Sequence, residues 1–197
     1  QQFNRFRLRK IETGNRDEVS VFIHMCAFNG SKSILEAVES IQRQTHGNWF
    51  LFISDDASTD GTWSLVEELA RGEGRIEAIR LPQNLYQQGL SHRNVGLERF
   101  EKGSWDLYAV LDQDDVAEID WLDNCVSLDW RYISVLRMWN ARYDAQLRKK
   151  KFEYPAAAQI MVPRRELKSI LYRRGFGFPA DTDFLYRMEF RAIKTMK

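Results

Sequence analysis

The stretch of sequence that decides the fold reads WFLFISDDASTDGT and occupies residues 49–62. Its first six residues, 49–54, are almost all apolar, which is typical of a strand buried on both faces of a parallel sheet. The eight residues that follow are polar and include three aspartates, so they predict a loop at the carboxyl end of that strand. A helix is expected next, with an inner face formed by Trp63, Leu65, Val66 and Leu69.

The alternation of strand and helix continues on both sides of this stretch. Apolar runs predict further strands over residues 19–25, 75–81, 105–111 and 156–162. Helical spacing predicts further helices over 34–41, with Ser31 or Ser33 as the cap, over 91–100, and from about 182 onward. The pattern therefore predicts an α/β fold: a Rossmann-like, mostly parallel central sheet with helices on both faces.

The basic segment between the fourth and fifth predicted strands is harder to interpret. Over residues 129–151, the spacing of Tyr132, Val135, Leu136 and Trp139 favours one more helix. Arg148 to Lys151 form a basic run, which is most often a solvated face. The same run could instead attract an anionic lipid or a phosphorylated carrier.

Composition limits the class of protein. The chain has 197 residues, 44% of them hydrophobic and 29% charged, and a net charge of +1. These values fit one folded domain over residues 19–197, preceded by a polar N-terminal extension over 1–18. A nucleic-acid-binding protein would normally carry a clear basic excess, so we expect no nucleic-acid partner.

The cysteines and the apolar runs predict the cell compartment. Cys26 and Cys125 are too few for a disulfide framework and fit a reducing environment. No apolar run is long enough to cross a membrane, and no signal-peptide pattern opens the chain. We therefore expect a cytoplasmic protein.

Two acidic clusters follow predicted strands, Asp55-Asp56 and Asp112-Gln113-Asp114-Asp115. Ligands of open parallel sheets bind beyond the carboxyl ends of the strands, so both clusters are expected near one crevice. Carboxylates without a His or Cys partner suit Mg²⁺ or Mn²⁺, which commonly bridges to a substrate diphosphate. Either cluster alone could equally consist of turn and helix-capping residues, as Asp60-Gly61 could.

Six segments, taken in order, resemble the family 2 inverting glycosyltransferases, whose catalytic domain has the nucleotide-diphosphosugar (GT-A) fold. The segment 55–62 is similar to the family signature Asp-Asp-x-Ser-x-Asp-Gly-Thr, and the segment 111–115 resembles its Asp-x-Asp metal motif. The other four are VSVFIHMCAFNG at 19–30, SIQRQT at 40–45, RNVG at 93–96 and DTDFLYR at 181–187.

The resemblance implies roles for individual positions. The loop of Ala27, Phe28 and Asn29 would lie beside the nucleotide, and Asp55 or Asp56 would contact its base or ribose. Asp112 would face the ribose or sugar, and Asp114, together with Asp112, would hold Mn²⁺ or Mg²⁺. Asp181 would be the general base. Arg93 would lie near the nucleotide, unless it is simply a surface cation at the start of a helix.

The implied reaction is transfer of a sugar, with inversion in a single displacement, from a nucleotide-diphosphosugar to an acceptor hydroxyl. Uridine donors are the family default, and the acceptor would be a saccharide or lipid-linked glycan of the kind used for capsule or cell-wall polysaccharide. Peripheral contact with the inner face of the membrane would accompany a lipid-linked acceptor. The Gln-x-x-Arg-Trp motif of processive synthases is absent, which favours addition of a single sugar.

Two alternatives remain open at the level of sequence. A sugar nucleotidyltransferase of related fold would carry Gly-Gly-x-Gly-x-Arg after the first strand, and residues 28–33 do not supply it. A non-catalytic relative that binds a nucleotide sugar is the other alternative. Its support is Ala180, which stands before Asp181 where the family often has Glu.

Overall fold

The computed structural model describes residues 16–85, 92–127, 134–135 and 160–163. Its strands are β1 (Val21–Ala27), β2 (Trp49–Asp55), β3 (Ile76–Arg80), β4 (Leu107–Val110), β5 (Ser134–Val135) and β6 (Ile160–Pro163). In the described part of the chain they form one sheet in the order β3-β2-β1-β4-β6-β5. The first four strands are mutually parallel, whereas β6 runs antiparallel to β4 and β5 runs antiparallel to β6.

Four helices connect or follow these strands within the described residues: α1 (Ile34–Gln42), α2 (Thr62–Gly72), α3 (Arg93–Glu101) and α4 (Trp121–Ser127). A short 3₁₀ turn over Arg16–Glu18 precedes β1, and the Asn48 side chain donates hydrogen bonds to main-chain oxygens of that turn. No helix in these segments combines the length and the apolar character that a membrane span requires.

One face of the sheet carries the aliphatic core. Successive residues of a strand point to opposite faces, and the odd-numbered residues of β1 all enter this core. Helix α1 covers it with Ile34, Ala37, Val38 and Ile41, which recur at helical spacing and are all buried. Val66 of α2 and Leu122 of α4 pack into the same cluster.

The other face is aromatic. Phe22 of β1 lies among five rings, with centroid separations of 4.7–5.9 Å, contributed by Phe50, Phe52, Phe100, Trp105 and Tyr108. Because Phe100 belongs to α3, this helix covers the face opposite to α1. The prediction of helices on both faces of a mostly parallel sheet is therefore confirmed.

A buried histidine crosses the middle of the aromatic face. His24 hydrogen-bonds through Nε2 to Ser54 Oγ of β2 at 2.8 Å and through Nδ1 to Tyr108 Oη of β4 at 3.0 Å. Burial, together with the nearby Arg93 and His92, holds the pKa of His24 well below its usual value, so the ring is neutral. His24 is the hydrogen-bonded structural residue that its place in a strand predicts.

The prediction of a helix over residues 129–151 is wrong at the two positions that the structure describes there. Ser134 and Val135 form β5, in register with Met161 and Ile160 of β6. These two residues are extended because they pair with a strand about 25 residues away in the sequence. The spacing of apolar residues within 129–151 cannot reveal so distant a partner. The rest of that range, residues 156–159 and the helix expected from 182 onward lie outside the described residues.

Candidate active site

The carboxyl ends of β1 and β4 form the crevice of the sheet. The chain runs outward from β1 through β2 to β3 and then returns to the other side of β1 as β4. Ligands of open α/β sheets bind where the order reverses in this way. An open cleft of about 200 Å³ lies at this point, lined by Cys26, Phe28, His92, Arg93, Asp112, Gln113 and Asp114.

The first wall of the cleft is the loop after β1, and the segment 55–62 holds it in place. The main-chain N–H groups of residues 29–31 donate to side-chain oxygens of Ser58, Thr62 and Asp60 at 3.0, 2.8 and 3.2 Å respectively. The Asn29 side chain in turn accepts from the Thr59 amide at 2.9 Å. Much of the aspartate-rich signature is therefore a scaffold for the neighbouring loop.

Asp60 is the clearest example of that scaffolding. Its second carboxylate oxygen accepts from both the amide and the hydroxyl of Thr62, at the start of α2. The Thr62 hydroxyl is the main cause of the lowered pKa of Asp60. Asp60 is thus a turn residue directly before Gly61, which is the N-cap of α2.

Asp55 and Asp56 are fully buried behind the cleft rather than exposed in it. Asp55 Oδ2 accepts from the Ser58 amide at 3.2 Å and lies 3.4 Å from Arg80 Nε. Asp55 Oδ1 is buried with no hydrogen-bond partner within the described segments, so it has an acceptor to spare.

The Asp56 carboxylate connects to the cleft through a histidine. Its Oδ1 accepts from the Leu85 amide at 2.7 Å, and its Oδ2 lies 3.5 Å from His92 Nδ1. Burial lowers the pKa of His92 and outweighs the opposing charge of Asp56. The histidine is therefore a neutral hydrogen-bonding group in the cleft wall at pH 7.

The first residue of α3 joins the second wall of the cleft. Arg93 Nη2 donates to Asp112 Oδ1 at 2.9 Å, and the Arg93 side chain is 14% exposed. Arg93 is therefore largely buried and ion-paired rather than fully solvated. It places a fixed positive charge beside the acids that follow β4.

The acidic loop after β4 is fastened to α1 by the segment that resembles Ser-x-x-x-Gln-Thr. Ser40 Oγ accepts from the Ala117 amide at 3.0 Å. Gln44 donates to the Glu118 carbonyl at 2.6 Å and accepts from the Leu122 amide at 2.9 Å. Three polar contacts thus fix the path of the chain between the acids and α4.

Negative charge is concentrated in this loop. Burial and then the charges of Asp112 and Asp114 raise the pKa of Asp115 to about 6. Such mutual repulsion is relieved by a cation, and carboxylate oxygens suit Mg²⁺ or Mn²⁺. No three His, Cys, Asp or Glu side chains converge into a complete metal site in the described segments.

The structure brings some of the predicted site residues together and sets others behind them. Phe28, Arg93, Asp112 and Asp114 line the cleft. Ala27, Asn29, Asp55 and Asp56 do not line it; they hold or back the two loops that do. Asp181, predicted as the general base, lies outside the described residues.

Sequence reasoning missed three residues of the cleft wall. His92 and Gln113 each adjoin a motif residue, and that adjacency was the available signal. Cys26, which the sequence analysis uses only to exclude a disulfide framework, is half-buried and lines the cleft. Burial raises the pKa of its thiol to about 12, so it is neutral and is not a nucleophile.

Comparison with known proteins identifies the family of the chain. The family model described as glycosyl transferase family 2 matches residues 22–189. The chain belongs to that family. Among solved structures, this family 2 chain resembles Staphylococcus aureus TarS, with a TM-score of 0.62 and 18% identity over 86% of this chain and 33% of TarS. The likeness confirms the GT-A fold that the sequence resemblance implied.

Three curated relatives show the same family likeness over part of their length. An uncharacterized glycosyltransferase of Haemophilus influenzae is 34% identical over 54% of this chain and 32% of its own. The putative teichuronic acid biosynthesis glycosyltransferase TuaG of Bacillus subtilis is 33% identical over 49% and 36%. WfgD of Escherichia coli, named a UDP-Glc:alpha-D-GlcNAc-diphosphoundecaprenol beta-1,3-glucosyltransferase, is 32% identical over 55% and 38%. The matched segment thus spans between 32% and 38% of the length of each relative.

Proposed function

We propose that this chain transfers a sugar, with inversion, from a UDP-linked donor to a hydroxyl group of a lipid-linked saccharide. The observation that carries the proposal is the cleft at the carboxyl ends of β1 and β4. There one wall supplies Phe28, and the other supplies Arg93 paired with Asp112, with Asp114 close by. Polar groups that converge beside an apolar side chain at a switch point suit a nucleotide.

The donor would bind with its nucleoside toward the loop after β1 and its diphosphate toward the acids. Asp55 or Asp56 would contact the base or ribose, as the family resemblance implies, although both are fully buried and neither lines the cleft. Arg93 would bind a diphosphate oxygen, because a guanidinium favours bidentate contact with phosphate. Asp112 would face the ribose or the sugar. UDP is the ligand in a solved structure of a TarS fragment with a TM-score of 0.62.

Asp112 and Asp114 would hold Mn²⁺ or Mg²⁺ against the diphosphate. A bound divalent cation supplies neutralisation of the charge that develops on the departing nucleoside diphosphate. The clustering of Asp112, Asp114 and Asp115 supports this assignment: after burial, the charges of the first two acids contribute to the raised pKa of Asp115.

The general base would be Asp181, by resemblance to the family segment in which it stands. A carboxylate within hydrogen-bond reach of the acceptor hydroxyl takes its proton as the new glycosidic bond forms. Attack on the face opposite to the leaving group inverts the anomeric centre without a covalent enzyme intermediate.

The acceptor class rests on relatives. WfgD and a Campylobacter jejuni relative that is 34% identical over 45% of this chain are both named for transfer to saccharides on an undecaprenol carrier. A lipid-linked acceptor would bring the protein to the inner face of the membrane as a peripheral, cytoplasmic enzyme. The basic run from Arg148 to Lys151 is the sequence feature that supports this location.

Calorimetric titration tests the donor site first. UDP, dTDP, GDP and ADP are titrated into the protein with and without Mn²⁺, and the series is repeated on Asp114→Ala. We expect metal-dependent binding of UDP that the variant loses. The matched control is Asp120→Ala, an exposed acid beyond the cleft. Absence of binding for every nucleotide under both metal conditions would refute the proposal.

Turnover separates a transferase from a non-catalytic relative. Release of UDP from UDP-sugars is measured with undecaprenyl-diphosphate-linked saccharide acceptors, for the unchanged protein and for Asp181→Asn. The transferase proposal expects turnover that the substitution reduces by at least about a hundredfold, which is the range for loss of a general base. Tight UDP binding without turnover of any donor and acceptor pair would favour the non-catalytic relative.

A further inference from the structure

The side chain of Gln113 bridges the two walls of the cleft. Its Oε1 accepts from the Phe28 amide at 3.0 Å, and its Nε2 donates to the Phe28 carbonyl at 2.9 Å. Both polar groups of one main-chain residue are therefore satisfied by one carboxamide. A primary amide matches this donor and acceptor pair in the way that a neighbouring strand would.

These bonds lie where the sheet itself no longer connects the walls. Strands β1 and β4 pair from Val21 with Leu107 to His24 with Val110, and the Leu111 amide then donates to the His24 carbonyl at 3.2 Å. Beyond this point the two strands are no longer paired, and the residues that follow them line the cleft. The Gln113 side chain connects the two segments again through its bonds to Phe28, which is 85 positions away in the sequence.

Gly30 leaves the space that the Gln113 carboxamide occupies. A Cβ atom built at Gly30 would lie 2.0 Å from Gln113 Oε1 and 2.4 Å from its Cδ. Gly30 cannot move aside easily, because its amide donates to Thr62 Oγ1 at 2.8 Å and its carbonyl accepts from the amide of Ile34 at 3.0 Å. The Gln113 carboxamide can therefore occupy its position only because residue 30 has no side chain.

We propose that Gln113 is a positioning residue that sets the distance between Phe28 and the acids Asp112 and Asp114, and so sets the affinity for the nucleotide. Gln113 stands between these two acids in the chain and fixes the main chain of Phe28 on the facing wall. The inference rests on the proposed function, since it concerns the same cleft. It adds a residue whose part is to hold the walls together rather than to contact the reacting atoms.

Two substitutions at position 113 test the hydrogen bonds. Gln113→Met keeps the length of the side chain and adds no charge, but it removes both bonds to Phe28. We expect the dissociation constant for UDP with Mn²⁺, measured by calorimetry at 25 °C, to rise about tenfold. Gln113→Ala should have the same effect. Gln42→Met, at an exposed position on α1, is the matched control and should bind as the unchanged protein does.

A double-substitution cycle tests the link to Gly30. Gly30→Ala alone should weaken UDP binding by displacing the carboxamide. In the Gln113→Ala background, Gly30→Ala should add little, because the group that it displaces is gone. Independent effects of the two substitutions would overturn the argument that they act through one contact.

Stability measurements distinguish an effect on folding from an effect on UDP binding. Circular dichroism and the unfolding temperature are recorded for each variant. A lower unfolding temperature with unchanged UDP affinity at 25 °C would show a purely structural role and would overturn the inference. Failure of the unchanged protein to bind any nucleoside diphosphate would instead overturn the proposed function, and this inference with it.

Discussion

Gly96 of α3 lies directly against the imidazole of His24 in β1. A Cβ at Gly96 would be 2.0 Å from His24 Nδ1 and 2.2 Å from its Cγ. The ring cannot turn away without losing its hydrogen bonds to Ser54 and Tyr108. The glycine of the RNVG segment is therefore the point at which α3 approaches the sheet, and this approach places Arg93 at the cleft.

Substitution of Gly96 by alanine should destabilise the protein by about 1–3 kcal/mol, the usual cost of an additional methyl group in a packed interior. Chemical denaturation, followed by circular dichroism, measures the change. Gly74→Ala is the control, because a Cβ at that position has no atom within 4 Å. An equal effect of the two substitutions would contradict the close contact with His24.

Replacement of Arg93 should weaken nucleotide binding. Arg93→Met removes the positive charge beside Asp112 and should raise the dissociation constant for UDP at least about tenfold, since charge-assisted contacts to phosphate are stronger than neutral ones. Calorimetry in the presence of Mn²⁺ provides the value. Arg71→Met removes an arginine that is 71% exposed on α2 and should leave the affinity unchanged. If both variants bound UDP with equal affinity, Arg93 would not contribute to nucleotide binding.

Asp115 should make the metal-free protein less stable as the pH rises. The pKa of Asp115 is about 6 in the folded chain, compared with the ordinary aspartate value of 3.8 expected in the unfolded chain. Between these pH values the folded state retains a proton that the unfolded state releases. Stability then falls as the pH rises from about 4 to 6, and it remains lower above that range.

Asp115→Asn removes this penalty. The unfolding temperature of the metal-free variant should exceed that of the unchanged protein at pH 7, and the difference should shrink toward zero below pH 4. Glu98→Gln, at an exposed position on α3, controls for the loss of one negative charge. If the difference in unfolding temperature became larger at low pH, the pKa of Asp115 would be lowered by folding rather than raised, and the prediction would be wrong.

Ala57 adopts a backbone conformation that alanine disfavours. Its φ angle is +60°, in the left-handed region, within the loop that scaffolds the first wall of the cleft. Ala57→Gly should relieve about 1–2 kcal/mol of strain and lose about 0.5–1 kcal/mol to the greater freedom of the unfolded chain. The net expectation is an increase in stability of up to about 1.5 kcal/mol.

Thermal unfolding of Ala57→Gly alongside Ala70→Gly checks this prediction. Ala70 lies inside α2, where glycine should cost about 1 kcal/mol. The two substitutions should therefore change stability in opposite directions. Destabilisation by both would show that the Ala57 methyl group contributes packing that outweighs its strain.

The sequence predicted the parallel half of the sheet well because buried parallel strands have a local signature. The run WFLFIS coincides with β2 to within one residue, and 75–81 contains all of β3. The short strand β5 was missed, since the structure shows it through its pairing with β6, which is distant in the sequence. Helix α4, with seven residues, is too short to show helical periodicity.

The candidate site was predictable to the extent that motifs are local. Asp112 and Asp114 follow a recognisable strand, and the structure places both in the cleft. The sequence could not distinguish Asp55 and Asp56, which lie behind the wall, from acids that line it. Nor could it indicate His92, because its contact with Asp56 joins residues 36 positions apart.

The loop after β1 is held almost entirely through its main chain. Amides 29–31 are bound by the neighbouring segment, and both main-chain groups of Phe28 are bound by Gln113. The Phe28 ring, 38% exposed, takes no part in that anchorage. The side chain at position 28 is therefore not needed to hold the loop in place. Under the proposed function, a substitution at position 28 would change the side chain presented to the donor and leave the main-chain bonds of the loop in place.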